Sequence, residues 1–312
     1  MIRRQALAAL LAGLCAGAHA QQLVAGELAR FEYHPSGFFQ GKTVPVYHYK
    51  AQTARQDARV LFVIHGVERD ARTTCSNWIA AAEKYGLVLV APEFGSADFP
   101  QALFQLGGLT ASDESHWTYN LIESLFDLIR ESNGLTATGY HLFGHSAGGQ
   151  FAHRLALMAR QPRILGVVAA NAGTYTMPTY GGWTDTPFPY TLSKQAISEE
   201  RLGAAFRRPL TVILGESDTD ASGANLPNSK AAQSQGPHRF ARGQRFYALH
   251  RSKASGWASH WPGSWSPCPA WVTAPRPPAG LQRPCSSSRL RRRDNLPDRP
   301  TCQFRSEPTD TP

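Results

Sequence analysis

An α/β fold with a mostly parallel central sheet is predicted by three features of this 312-residue chain. Continuous apolar runs rich in β-branched residues recur along it. Helical patterns separate those runs, and Gly or Pro closes most of them. Short strands alternating with helices at this spacing make βαβ units, whose strands are buried on both faces. Composition agrees: 42% hydrophobic and 18% charged residues supply a full core and exclude wholesale disorder. Five cysteines exclude a disulfide scaffold.

Residues 1–20 read MIRRQALAALLAGLCAGAHA. Two arginines, an apolar run and small residues at Ala18 and Ala20 have the form of a secretory signal peptide. The run is too short to span ~30 Å of hydrocarbon. Leu14 is bulky where a lipoprotein site before Cys15 wants a small residue. A mature chain beginning near Gln21, secreted or periplasmic, is expected. No later apolar run approaches the roughly 18 residues of a membrane span.

The elements follow in order. Residues 23–49 are expected to give early antiparallel strands. Residues 60–64 (VLFVI) read as a buried strand ending at His65-Gly66. Residues 78–85 are helical in pattern and Gly86 stops them. Residues 87–91 (LVLVA) are a second buried strand, ended by Pro92. Residues 117–130 carry Leu121, Ile122, Leu125, Leu128 and Ile129 at helical spacing, an amphipathic helix. Residues 140–143 form a short strand into Gly144, and 150–158 look helical. Residues 165–170 and 210–214 are further strands. The domain so outlined is 21–256.

The net charge of +9 does not make a nucleic-acid face. Arg3 and Arg4 lie in the leader, and residues 257–312 hold eight arginines against four acids. The body between them is nearly neutral, so no nucleic-acid partner is expected. No His/Cys cluster has metal-ligand spacing, and neither metal nor organic cofactor is expected.

Chemistry concentrates at Gly144-His145-Ser146-Ala147-Gly148. A G-x-S-x-G alone is a weak signal. Between a short strand and a helix it has the setting of a nucleophile elbow, where flanking side chains have no room. The plain alternative is a Gly/Ser-rich turn before a helix. A serine needs a base, an orienting acid and an oxyanion hole. The helix after Ser146 offers the backbone N–H of Ala147. The turn after residues 60–64 offers the N–H of Val67. His65, in that turn, reads as a packing histidine. Beyond residues 210–214, Asp218 is the favoured acid, with Glu216 and Asp220 as local rivals. Its plain reading is a turn-forming Asx residue. Asp70, Asp113 and Asp127 precede the serine and break the expected Ser, Asp, His order. The mostly aromatic set at 175–190 (Tyr175, Met177, Tyr180, Trp183, Phe188, Tyr190) either grips a substrate or pins its own loop. Cys75 has no elbow around it.

At these residues the chain resembles bacterial α/β-hydrolases, specifically secreted esterase-like proteins related to poly(3-hydroxybutyrate) depolymerases. The similar segments are IHGVERDA (64–71), LVLVAPEF (87–94), FGHSAGGQFAHR (143–154), AANAGTYTMP (169–178), LTVILGESDTD (210–220) and QGPHRFARGQRFY (235–247). The resemblance implies an α/β-hydrolase fold and carboxylic-ester chemistry on a small or polymeric ester. It puts the nucleophile on Ser146, the acid on Asp218 and the oxyanion donors on Val67 and Ala147. It settles neither the substrate nor the oligomeric state.

One part of the family pattern is missing: a final strand followed by a Gly-x-Gly-His histidine. From Trp257 on, 56 residues hold 11 of the 22 prolines, four of the seven tryptophans and no Ile, Met or Tyr. Neither strand nor helix pattern survives there, and an irregular or disordered tail over 257–312 is expected. The histidines after Asp218 are His238, in a family-like stretch before the final helix and read as structural, His250, in that helix pattern, and His260, in the aberrant tail; none is assigned as the base. Regrouping GC-rich codons of residues 256–273 by one base gives LGIPLAWQLVAVPGVGH, a strand-like run ending in the expected motif. A one-base shift near Ser255–Gly256 is therefore expected to have replaced the final strand, the histidine and the last helix. The leading reading is a secreted serine ester hydrolase impaired by that loss. A catalytically inactive binding protein on the same fold, or a peptidase, are the alternatives.

Overall fold

A computed structural model describes residues 21–180, 186–223, 225–258 and 269–274. The leader at 1–20 and Trp183 lie outside them. Of the two units into which the chain divides, Met1–Arg276 and Pro277–Pro312, only the first contains described residues.

Its centre is an eight-stranded sheet. β1 (Leu28–Tyr33) pairs antiparallel with β2 (Val44–Lys50), and β2 pairs antiparallel with β4 (Val88–Pro92). The rest is parallel: β4, β3 (Val60–Ile64), β5 (Tyr140–His145), β6 (Ile164–Ala170), β9 (Leu210–Gly215) and β10 (Pro269–Ala274), in that spatial order. The predicted mostly parallel α/β fold is the observed one. β3 and β4 are the two apolar runs read from sequence, and their central residues are fully buried, as central parallel strands require.

The helices follow from the crossovers. From β3 the chain passes through α1 (Ala71–Ser76) and α2 (Ile79–Tyr85) and steps to β4 on one side. It then steps the other way every time: through α3 (Tyr119–Ser132) to β5, α4 (Ala147–Met158) to β6, α5 (Glu199–Phe206) to β9, and α6 (Lys230–Gln233) with α7 (Arg239–Ala258) to β10. Right-handed crossovers therefore put α1 and α2 on one face of the sheet and the other helices on the opposite face. The core divides accordingly. Phe62, Leu142, Val212 and Leu214 join α3, α4 and α5 in the larger cluster. Val63, Leu89 and Ala91 join α1 and α2 in a smaller one. A two-stranded piece, β7 (Met177–Tyr180) with β8 (Thr191–Leu192), lies outside the main sheet.

Two differences from the sequence reading have physical causes. α1 was hidden by its β-branched threonines; it is nucleated by Asp70, whose carboxylate accepts from the Thr73 N–H at 2.8 Å. The expectation that no regular element survives beyond Trp257 is corrected. α7 continues to Ala258, and β10 pairs with β9 along its length, from Pro269 opposite Leu210 to Ala274 opposite Gly215. A bare edge on β9 would leave a row of unpaired backbone groups, and Ala-Trp-Val-Thr-Ala is β-compatible. Composition averaged over 56 residues conceals a six-residue strand.

Candidate active site

The parallel register brings several loops to one edge. Ile64 pairs with Gly144, Gly144 with Ala169 and Ala170 with Ile213, so β3, β5, β6 and β9 end side by side. Ser146 leaves β5 there and opens α4. Asp218 leaves β9 three residues past its end.

Ser146 stands at φ 55°, ψ −111°, a positive φ in a residue with a side chain. The strain is held from both sides. Its N–H donates to Ala170 O at 2.9 Å, and its carbonyl accepts from the Gln150 N–H at 3.0 Å. The flanking glycines are required by close approach. A Cβ on Gly144 would collide with the Gly148 carbonyl. One on Gly148 would collide with the Ile64 carbonyl and lie 2.7 Å from that of His65. So strand β3 and its turn press directly on the first turn of α4, and the motif read from sequence is a strand–turn–helix elbow.

Of the two expected oxyanion donors, Ala147 is the buried first residue of α4 and Val67 lies in the exposed turn after β3. Among the described residues neither N–H donates to another group. His65 supports that turn, as its packing role predicts. It is buried; Nδ1 meets Gly66 O at 2.9 Å and Nε2 accepts from the Phe94 N–H at 2.9 Å. Burial pulls its pKa down to about 4, so it is neutral.

Asp218 is half-buried. Its N–H donates to Gly215 O at 3.0 Å, its carbonyl accepts from Phe240 N at 3.2 Å, and its carboxylate faces Arg239 at 3.4 Å. The rivals point elsewhere. Glu216 is exposed, and Asp220 folds onto its own loop, accepting from Ser222 N at 2.8 Å and Ser222 Oγ at 2.7 Å.

Asn171, which sequence reasoning did not single out, joins the two loops. It sits at φ 47° just after β6, and its Oδ1 accepts from Gly215 N at 2.7 Å. Its Nδ2 lies 3.5 Å from His145 Nε2. The ring of His145 is held below its usual pKa by desolvation and Arg239, with Asp218 opposing. Serine loop, Asn171 and acid loop thus form one hydrogen-bonded edge. Arg242, also unforeseen, clamps it from behind: its buried guanidinium donates to the carbonyls of Gly173 (2.7 Å), Pro227 (2.9 Å) and Gly236 (2.8 Å). With no carboxylate among these acceptors, burial lowers its pKa to about 10.

The remaining candidates separate. His250 is buried in α7 against Phe206 and Phe246, away from solvent. His238 caps α7 through Ala241 N at 3.2 Å. His260 lies outside the described residues. Tyr175 and Met177 are fully buried, with Tyr175 stacked on Phe246 at 4.6 Å, so these two pin their loop and do not line a substrate surface. Cys75 is buried, and its thiol is pushed up to about 12. No described helix is long and apolar enough to cross a membrane.

No family model matches the chain, and no curated protein matches it. Solved structures do. Poly(aspartic acid) hydrolase-1 from Sphingomonas sp. KT-1 is 32% identical, with a TM-score of 0.70 over 80% of this chain and 93% of that one. The poly(3-hydroxybutyrate) depolymerase LpqC from Bordetella parapertussis is 30% identical, with a TM-score of 0.69 over 80% of this chain and 84% of that one. An S-formylglutathione hydrolase from Agrobacterium tumefaciens shares the fold at 16% identity, with a TM-score of 0.50 over 78% of this chain and 84% of that one.

Proposed function

The chain belongs to the esterase- and depolymerase-like family of α/β-hydrolases, and from that premise we propose that it is a secreted serine hydrolase of carboxylic esters whose activity is impaired in this chain. Ser146 Oγ attacks the ester carbonyl carbon. The Val67 and Ala147 N–H groups receive the resulting oxyanion. Asp218 is the acid that would orient a histidine, which takes the serine proton and returns it to the departing alkoxide. Water then attacks the acyl-serine and releases the carboxylic acid.

The observation that carries this reading is the strained backbone of Ser146 between β5 and α4. Strain of this kind costs about 1–3 kcal/mol and persists where the surroundings over-determine it. The impairment rests on the sequence. β10 ends level with Gly215, the last residue of β9, and Asp218 lies three residues beyond that end, where a histidine would have to reach it. No histidine occurs after His260. A serine without its base retains only what binding and the oxyanion donors supply.

The same absence favours the second reading, a binding protein on a hydrolase scaffold. Fluorophosphonate labelling separates the two. The enzyme reading expects slow labelling of this chain at Ser146, none in Ser146→Ala, and turnover of a p-nitrophenyl ester once the alternative reading frame is restored. No labelling of either form, with both folded, leaves the binding protein.

A further inference from the structure

The guanidinium of Arg242 is a buried cation that leaves part of its hydrogen-bonding capacity unused. The residue is 1% exposed. Nε donates to Gly236 O, and Nη1 donates to Gly173 O and Pro227 O. Among the described residues Nη2 makes no hydrogen bond, and no carboxylate pairs with the charge. Buried charges ordinarily have a partner of opposite sign. Arg239, one turn earlier on α7, has Asp218. Asp220, in the same loop as Asp218, is turned onto Ser222. Arg154, the other fully buried arginine among the described residues, commits all three of its nitrogens, to Thr176, Gln105, Gln150 and Thr174. Arg242 does not.

A cavity of about 390 Å³ adjoins this group, and Arg242 forms part of its lining. Leu226, which is buried, and Pro227 give it an apolar wall. Ala221, Asn228 and Gln233, all exposed, form its mouth. The Gln233 amide is fixed there by its bond to Asn228 O at 2.8 Å. The Asn228 side chain makes no hydrogen bond among the described residues and is available to a ligand. The cavity therefore has a polar rim, an apolar side and an unneutralised charge at its buried end, within the size range of small-molecule sites.

We propose that this cavity binds a short-chain monocarboxylate, whose carboxylate accepts from the uncommitted Nη2 of Arg242 and whose alkyl chain lies along Leu226 and Pro227. One unneutralised positive charge matches one negative charge. A phosphate dianion would call for a second cation, and the lining holds none besides Arg242. The Asn228 amide can donate a second hydrogen bond at the mouth. A hydrogen bond between ionised groups is roughly twice as strong as a neutral one, so the carboxylate is favoured over its amide. The site stands whether or not Ser146 turns over an ester, and its test reads no catalysis.

Sodium butyrate is titrated into the full chain at constant ionic strength, with binding read by ligand-observed NMR and by thermal unfolding. Butyramide is the neutral control and inorganic phosphate the competing anion. Butyrate should bind saturably, raise Tm, and bind at least about ten-fold more tightly than butyramide. Asn228→Asp puts a like charge at the mouth, and Ala221→Trp narrows it. Both positions are exposed, and both variants keep Arg242 and its three carbonyls, so the unliganded Tm should not move while butyrate affinity falls several-fold. Ser146→Ala should bind butyrate as this chain does. Equal affinity for butyrate and butyramide overturns the proposal, as does phosphate binding as tightly as butyrate. Butyrate binding that neither mouth variant weakens, or that Ser146→Ala abolishes, puts the ligand elsewhere and overturns it too. So does the absence of saturable binding.

Discussion

Arg239 Nη1 stands 3.4 Å from Asp218 Oδ1, with both side chains largely buried. The acid of the candidate site therefore faces a guanidinium from the first turn of α7. Phe240, the next residue, donates its N–H to the Asp218 carbonyl at 3.2 Å, so the acid loop is fastened to α7 through charge and backbone together. Arg239→Ala removes the first and leaves the second. A half-buried pair of this geometry contributes about 1 kcal/mol, so Tm should fall by about 2–4 °C at low salt and by less in 1 M NaCl. Thermal unfolding at the two salt concentrations checks this; an unchanged Tm in both removes the pair from the account of the loop.

The strained serine makes the opposite prediction. At φ 55° a glycine is unstrained, so Ser146→Gly should raise Tm while abolishing fluorophosphonate labelling. The gain expected is about 1 kcal/mol, less the contacts of the lost hydroxymethyl group. Calorimetry of the two proteins decides it. A lower Tm in Ser146→Gly would mean that the elbow stores no strain.

Much of this edge was legible in the sequence, and the rest was not for stated reasons. G-H-S-A-G needs its glycines because backbone meets backbone there, and such a requirement leaves a fixed spacing. Asp218 was legible because it follows a strand. Asn171 and Arg242 were not. Each acts through contacts to residues distant in sequence, Gly215 for Asn171 and Gly173 with Pro227 for Arg242, and no local pattern marks such a contact. The aromatic stretch at 175–190 was ambiguous because burial and exposure of an aromatic look alike in sequence; Tyr175 and Met177 turned inward. β10 was lost because six residues of strand sit among prolines and arginines.

Acid should destabilise this protein through its histidines. Burial lowers His48, His65 and His250 to about 4. A histidine lowered from about 6.5 stabilises the fold above that pH, and the contribution is lost as pH falls through 6.5 towards 4. Tm should therefore drop steeply between pH 6.5 and 4. His250, whose Nδ1 has no hydrogen-bond partner among the described residues, rests edge-on against Phe206. His250→Phe should flatten that drop with little change at pH 8. Identical pH profiles for the two proteins would remove His250 from the acid response.

Arg242 tests the clamp. Three carbonyls from three loops converge on one buried guanidinium, and Arg242→Met strands them while keeping much of the volume. Removing one partner of a buried charged network costs about 3–5 kcal/mol. At roughly 2–4 °C per kcal/mol for a domain of this size, Tm should fall by about 10 °C. Because Gly173 and Pro227 lie in the loops after β6 and β9, serine labelling should slow as well. A fall of only a degree or two would show that water replaces the guanidinium there.

The final prediction concerns the coding sequence. Residues 256–273 regroup, one base along, into a strand-like run ending in Gly-Val-Gly-His. Free third bases allow some choice of hydrophobic residues, but the fixed bases are less forgiving. Each Trp codon, TGG, forces a leading G on the next shifted codon, and Thr273 supplies the AC that ends in His. The fold adds a physical requirement. β9 needs a parallel neighbour, and the strand now beside it, Pro269–Ala274, carries no histidine. Sequencing codons 250–275 should show an open alternative frame with a His codon spanning residues 272 and 273. The protein made from that frame should gain orders of magnitude in p-nitrophenyl ester turnover, the size of effect that loss of a triad histidine carries. It should also unfold at higher temperature, because the last helix would return. A stop codon before the His codon, or a frame-restored protein no more active than this one, would show that the tail is the chain's own and that Ser146 has never had its base.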